Sequence, residues 1–171
     1  MNTQDTIVNK VALSGLITFD LASLASTEDR IVFDIKDLLF HGLILREKDF
    51  REFVKTNDWS AYQNKNVAIT CSADAIIPTW AYMLLANRLE PFAKEIIFGD
   101  LDMLETTLYE KALAELDMSQ FEGQRVMVKG CGDIKVPESA FITFTRKLSK
   151  VAKSIMYGEA CSSVPIFKRK A

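Results

Sequence analysis

The sequence predicts an α/β protein with a mostly parallel sheet, built from a duplicated βαβ unit and extended by a small β-rich region at the N-terminus. Two observations predict the duplicated unit: residues 58–100 align without a gap with residues 117–159, and each copy reads as strand, helix and strand. A third observation, short apolar runs in the N-terminal third, predicts the extension.

The internal repeat is found by shifting the chain by 59 positions. The shift gives 11 identical pairs over 43 aligned positions, where unrelated sequence would give about 3. These pairs are Asp58/Asp117, Ser60/Ser119, Val67/Val126, Asp74/Asp133, Pro78/Pro137, Ala81/Ala140, Leu89/Leu148, Ala93/Ala152, Lys94/Lys153, Ile96/Ile155 and Gly99/Gly158. A duplication within the gene explains this agreement.

Each copy contains two short apolar runs separated by a helical pattern. A proline stands at the first turn of each predicted helix, where its missing N–H costs nothing. A strand, a helix and a second strand within one short segment require parallel strands joined by a right-handed crossover. The predicted strands are 67–70, 96–98, 126–129 and 155–157, and the predicted helices are 78–94 and 137–153.

The rest of the chain adds further predicted elements to one domain over residues 1–171. Helices are predicted at 48–55 and 101–116, one before each copy, and strands at 13–19, 30–35 and 43–45. Pro91 is expected to bend the end of the first repeat helix. The C-terminal run Lys168-Arg169-Lys170 is interpreted as a solvated tail.

Composition excludes several classes of protein. The net charge is −2, from 21 basic and 23 acidic residues, so the chain lacks the basic excess of a nucleic-acid binder. Residues 1–10 lack the basic start and apolar core of a signal peptide. The longest apolar stretches, such as residues 80–86, are far shorter than the ~20 residues that span a bilayer. We therefore expect a soluble cytoplasmic protein without nucleic-acid or membrane partners, whose three cysteines are thiols, metal ligands or redox groups.

The three cysteines all follow predicted strands. Cys71 follows the first strand of copy one, Cys131 the first strand of copy two, and Cys161 the second strand of copy two. The carboxyl ends of parallel strands form the edge at which open α/β sheets bind ligands. Three soft ligands at one edge predict a zinc ion or an iron–sulfur cluster. However, free cysteines often only fill space in a core, and the chain has no CxxC pair.

A fourth ligand is not evident, and three residues are candidates. His41 is the only histidine, and it follows an apolar run. Asp74 and Asp133 are equivalent in the repeat and lie close to cysteines in sequence, where they could be ligands, acceptors for ligands or general bases. The alternative role for the two aspartates is to cap the helices that follow or to form turns, and we favour capping for Asp74 and leave the role of Asp133 open. Lys129 is a candidate to lower the thiol pKa of Cys131.

Several of these segments are distinctive. They are FDIKDLLFHGLILREKDFREFV (33–54), VAITCSADAIIPTWAYMLL (67–85), VKGC (128–131) and VAKSIMYGEACSSVPIFKRK (151–170). Over nearly the whole chain the sequence resembles a bacterial family that is known only as a domain of unknown function. The resemblance implies no activity, but it implies an association with the SUF system of iron–sulfur cluster assembly, and it thereby favours a cluster over zinc.

Two functions remain open from the sequence. The first is a metal- or iron–sulfur-binding protein with Cys71, Cys131 and Cys161 as ligands and iron–sulfur assembly proteins as partners. The second is a non-catalytic protein-interaction module whose cysteines are bystanders and whose exposed aromatic residues are Trp59, Tyr62 and Phe167. The sequence does not indicate whether the chain is an enzyme.

Overall fold

A computed structural model describes residues 15–130, 132–159 and 162–170. These residues form two compact units. Unit 1 combines the described residues up to Ala25 with those from Leu108 onward, and unit 2 is Ser26–Thr107. The prediction of one domain over residues 1–171 concerns the two units together, and it stays a prediction.

The described residues contain strands and α-helices in alternation through most of the chain. The strands are β1 (Leu16–Asp20), β2 (Arg30–Asp34), β3 (Asn66–Thr70), β4 (Glu95–Phe98), β5 (Arg125–Lys129), β6 (Ser154–Glu159) and β7 (Ser162–Lys168). The helices are α1 (Glu47–Thr56), α2 (Thr79–Leu89), α3 (Leu101–Glu115) and α4 (Glu138–Val151). Four short 3-10 turns lie at Leu21–Leu24, Ile35–Leu38, Trp59–Tyr62 and Met118–Phe121.

The duplication is visible in the positions of these elements. The pairs β3/β5, α2/α4 and β4/β6 each begin 59 residues apart, as do the 3-10 turns Trp59–Tyr62 and Met118–Phe121. The side chain of Asp58 caps the first of these turns and that of Asp117 caps the second, each accepting the N–H two residues further along. The elements therefore confirm the predicted βαβ repeat.

The strands form two sheets, so the prediction of one sheet containing both repeat copies is wrong. The reason is that each copy pairs with its own N-terminal strand, β3 with β2 and β5 with β1. In unit 2 the order is β2-β3-β4, with all strands parallel. In unit 1 the order is β1-β5-β6-β7, with β1, β5 and β6 parallel and β7 antiparallel. The predicted α/β class is confirmed, and the strands of the predicted N-terminal extension are integral to it: β1 pairs with β5, and β2 pairs with β3. Each sheet thus has the same three parallel strands, and unit 1 adds a fourth.

Two local predictions are wrong. Residues 43–45 form a turn in which a single isolated bridge pairs Phe40 with Ile44, instead of a strand. The helix predicted to reach residue 94 ends at Leu89, because Pro91 has no N–H with which to continue the helical hydrogen bonds. The C-terminal run interpreted as a solvated tail is exposed, and only its first residue, Lys168, belongs to β7.

Each unit has its own apolar cluster, and the two clusters use equivalent positions. Val67, Ala81, Leu85 and Leu89 are fully buried in unit 2. In unit 1 the equivalent positions are also fully buried, and they are Val126, Ala140, Phe144 and Leu148. Burying one large apolar side chain contributes about 1.5–3 kcal/mol, so the repeated helix and strand faces hold each unit together.

The aromatic residues predicted to be exposed belong to these clusters. Trp59 is 8% exposed, and its Nε1 donates to the Val54 carbonyl at 3.0 Å. Tyr62 and Phe167 are partly buried against the clusters of unit 2 and unit 1 respectively. The predicted exposed aromatic surface is therefore wrong. Among the described residues, no helix is both long and apolar enough to span a membrane.

Candidate functional site

The carboxyl ends of β2, β3 and β4 lie together at one edge of the unit 2 sheet. The register aligns Asp34 with Thr70, and Ile69 with Phe98. Cys71 follows this edge on β3, and Gly99 follows it on β4, where the Gly99 nitrogen donates to the Ile69 carbonyl at 3.0 Å. Cys71 therefore lies where it was predicted, in the loop that follows the carboxyl end of a parallel strand.

Cys71 is a half-buried free thiol at this edge. It packs against the apolar cluster of unit 2, and its Sγ lies 3.7 Å from the Ala73 carbonyl oxygen. Burial, followed by the negative charge that Cys71 carries as a thiolate, raises the pKa of Tyr82. Tyr82 is therefore a neutral phenol at physiological pH.

The best-defined polar contact at the unit 2 edge joins Asp34 to Ser72. Asp34 Oδ1 accepts from the Ser72 nitrogen at 3.0 Å, and Oδ2 accepts from Ser72 Oγ at 2.6 Å. Burial raises the pKa of Asp34, but the hydrogen bonds from Ser72 and the Lys36 N–H, together with the Lys36 charge, outweigh it and lower the pKa to about 2. Asp34 is thus a carboxylate at neutral pH, and it fixes the backbone next to Cys71.

The carboxyl edge of unit 1 is formed in the same way by β1, β5 and β6. The register aligns Asp20 with Lys129, and Val128 with Tyr157. Lys129 Nζ forms an ion pair with Glu159 Oε2, which joins the ends of β5 and β6. Lys129 was predicted to lower the thiol pKa of Cys131, and in the structure its charge is shared with this carboxylate. Cys131 and Cys161 themselves lie outside the described residues.

The structure places the three candidate fourth ligands in exposed positions. His41 lies in a turn with φ +51° and its ring 4.0 Å from that of Phe40. Asp74 and Asp133 are exposed in the loops before α2 and α4. The capping interpretation is wrong for both aspartates, because Pro78 and Pro137 are the cap residues and neither helix has a side-chain cap.

The described residues contain no group of three or more His, Cys, Asp or Glu side chains able to hold a metal. Two of the three predicted thiolate ligands lie outside those residues. The three-cysteine centre therefore stays a prediction, and so do the roles of Asp74, Asp133 and His41 in it.

Sequence reasoning missed an apolar groove in unit 1. The groove has a volume of about 410 Å³ and lies between α4 and the strands β6 and β7. Its main aromatic contacts are Phe141 and Tyr157, whose rings meet edge-to-face at 5.7 Å. The sequence repeat contained a signal for this aromatic pair, because the equivalent residues in copy one, Tyr82 and Phe98, are also aromatic. Their rings also meet edge-to-face, with centroids 5.3 Å apart. Unit 2 has no counterpart of β7 among its described strands, and Ile166 of β7 completes the groove in unit 1.

Comparison with known proteins gives one match. The model of a family described as "Protein of unknown function (DUF2480)" matches residues 5–169. No curated protein and no solved structure matches the chain.

Proposed function

The chain belongs to the DUF2480 family of proteins of unknown function, and we propose that it is a cytoplasmic metal- or iron–sulfur-binding protein. The proposed ligands are the thiolates of Cys71, Cys131 and Cys161. The observation that carries the proposal is the half-buried free thiol of Cys71 at the carboxyl end of β3, since this edge of a parallel sheet is where ligands bind.

The chain order supports the other two ligands. Cys131 is two residues after Lys129, the last residue of β5, and Cys161 is two residues after Glu159, the last residue of β6. β5 and β6 are neighbouring parallel strands, so the chain leaves both strands at the same edge before it reaches each cysteine. Thiolates are soft donors that suit zinc and iron.

The chemistry of the proposed centre follows from its ligand count. Three thiolates leave one coordination position for a fourth ligand or for a substrate, as in catalytic zinc sites. Asp133, Asp74 and His41 are the residues of this chain proposed for the fourth position. The exposed position of all three is compatible with a ligand that can be displaced.

We also propose that iron–sulfur assembly proteins are partners of this protein. The basis is the association with the SUF system that the resemblance of the four segments quoted above implies. An assembly factor must give up or accept a cluster, and an open coordination position is suited to such a transfer.

Metal analysis of the anaerobically purified protein tests the proposal. We expect bound zinc, or iron with sulfide and the visible absorbance of a cluster, and we expect the serine variant at each of the three cysteines to lose it. Ser162→Ala is the matched control, because Ser162 is exposed and adjacent to Cys161. A protein that stays colourless and metal-free after reconstitution contradicts the proposal.

A second candidate function is a protein-interaction module whose cysteines are bystanders. The observation that favours it is a set of exposed apolar side chains at equivalent positions of the two units: Met83 and Ile142 on the helices, and Phe98 and Tyr157 on the strands. Large exposed apolar surfaces mark interaction sites. This function predicts that a variant with all three cysteines replaced by serine retains its partners in a pull-down, whereas the Met83→Ser and Ile142→Ser variants lose them.

A further inference from the structure

The amino edge of the unit 1 sheet contains a groove that is lined by four cationic side chains. The groove has a volume of about 630 Å³, and its lining residues, which we call the basic groove, are Lys153, Lys168, Arg169 and Lys170. Lys153 precedes β6, and the other three residues end β7 or follow it. Because β7 is antiparallel to β6, the two strand ends bring these four residues together.

The backbone fixes the position of the basic groove. Lys168 is in register with Ser154, and the Arg169 nitrogen donates to the Lys153 carbonyl at 2.9 Å. The Arg169 guanidinium donates to the Lys150 carbonyl at 2.7 Å. This bond caps the C-terminus of α4, so a cation offsets the negative end of the helix dipole next to the groove.

The three lysines of the basic groove contribute positive charge to it. Within the described part of the chain, Lys153, Lys168 and Lys170 form no ion pair. Glu122 lies in the adjoining turn, where the next residue's nitrogen donates to the Val151 carbonyl, and it forms no ion pair with them either. Several cations held in one concavity raise the local concentration of anions.

We propose that the basic groove binds a compact anion that carries several phosphate groups, such as a soluble triphosphate. The concave shape favours a compact anion over a flat membrane surface, because the four cationic residues line one volume. That volume lies within the range of about 300–1,000 Å³ that is usual for small-molecule sites. This site is independent of the proposed metal centre, since it lies at the opposite edge of the strands.

Calorimetric titration of the full chain with inorganic tripolyphosphate at low salt tests this proposal. We expect one saturable site whose affinity falls as salt is added, because surface charges are screened. The double variant Lys168→Ala/Lys170→Ala should weaken binding by about tenfold or more. Arg169 is left in place because it caps α4.

The matched control is Lys48→Ala/Lys55→Ala, which removes two exposed lysines from α1 in unit 2 and changes the net charge equally. It should leave the affinity for tripolyphosphate unchanged. The proposal is overturned if tripolyphosphate does not bind, or if the two double variants lose affinity equally. It is also overturned if vesicles containing phosphatidylserine, or a single-stranded oligonucleotide, bind through these lysines while tripolyphosphate does not.

Discussion

Asp34 and Ser72 are joined by two hydrogen bonds, one donated by the Ser72 nitrogen at 3.0 Å and one donated by Ser72 Oγ at 2.6 Å, and the Asp34 carboxylate accepts both. The first residue ends β2, and the second follows β3 by two positions. One carboxylate therefore ties together the ends of two neighbouring strands and holds the loop that contains Cys71.

This pair predicts a pH dependence of stability. The pKa of Asp34 is lowered to about 2 in the folded protein, against about 3.9 when unfolded. Its stabilising contribution is therefore complete above about pH 4, and it is lost as the pH falls towards about 2. We expect Asp34→Asn to lower the free energy of unfolding by about 1–2 kcal/mol at neutral pH. Below about pH 4 the difference in the free energy of unfolding between the unmodified protein and Asp34→Asn should become smaller. Urea unfolding at several pH values would measure this difference.

Asp37→Asn is the control for this prediction. Asp37 lies in the same 3-10 turn, is exposed, and has no hydrogen bond or ion pair in the described part of the chain. Its replacement should change the free energy of unfolding by less than about 0.5 kcal/mol at every pH. A deficit of Asp34→Asn that is the same at pH values above and below 4 would contradict the assigned role of the carboxylate.

The Asp34–Ser72 pair also shows what could not be predicted from the sequence. The strands and the position of Cys71 at a strand end were predictable, because they depend on local apolar patterns. The contact between Asp34 and Ser72 depends on the pairing of β2 with β3, which aligns Asp34 with Thr70. A sequence separation of 38 residues contains no local signal for that register.

The two repeat helices show how one residue changes an otherwise correct prediction. Position 91 is proline in copy one, and the equivalent position in copy two is Lys150. α2 ends at Leu89 before the proline, whereas α4 continues to Val151. The predicted C-terminus of α4 was therefore within two residues of the observed one. The predicted C-terminus of α2, at residue 94, lay beyond the observed end of that helix.

β7 was missed for a related reason. Its sequence contains Pro165, and a proline within an apolar run normally argues against a strand. The structure accommodates Pro165 on an edge strand, next to the register shift between Ile155 and Met156. A sheet tolerates proline on edge strands and at bulges. That β7 is an edge strand next to a bulge is shown only by its pairing with β6.

We predict that replacing Gly158 by any residue with a Cβ atom lowers the stability of the protein. Its φ is +111°, and a Cβ there would lie 2.7 Å from the Ser162 carbonyl oxygen. Gly158→Ala should therefore combine backbone strain with a clash against backbone that cannot move aside, at a cost of about 2–4 kcal/mol. Thermal unfolding would measure the loss.

Gly123→Ala separates the two effects. Gly123 also has a positive φ, +67°, but a Cβ there would have no neighbour within 4 Å. It should cost only the strain of about 1–2 kcal/mol. If both alanine variants lose the same stability, the clash between β6 and β7 is not what requires glycine at position 158.

Phe144 is predicted to be the most sensitive position of α4. Its side chain is fully buried, and its ring lies 4.9 Å from that of Phe19 and 5.6 Å from that of Phe121. Phe144→Ala should lower the free energy of unfolding by about 3–5 kcal/mol, because it leaves a cavity between β1 and α4. On the same helix, Ile142 is 62% exposed, and Ile142→Ala should change stability by less than about 0.5 kcal/mol. Equal effects of the two variants would show that this cluster does not stabilise unit 1.

Removal of any bound metal is predicted to leave the protein folded. Small metal-dependent domains unfold when stripped, because they lack an apolar core of their own. Here each unit has a cluster of fully buried side chains that includes residues such as Leu85 in unit 2 and Leu148 in unit 1. We therefore expect the far-ultraviolet circular dichroism of the anaerobically purified protein to be unchanged by a chelator. Replacement of all three cysteines by serine should likewise leave the spectrum native and lower the free energy of unfolding by no more than about 1–2 kcal/mol. Loss of the helical signal in the chelated protein, or in each single serine variant, would instead identify the thiols as structural and remove the basis for a working centre at the sheet edge.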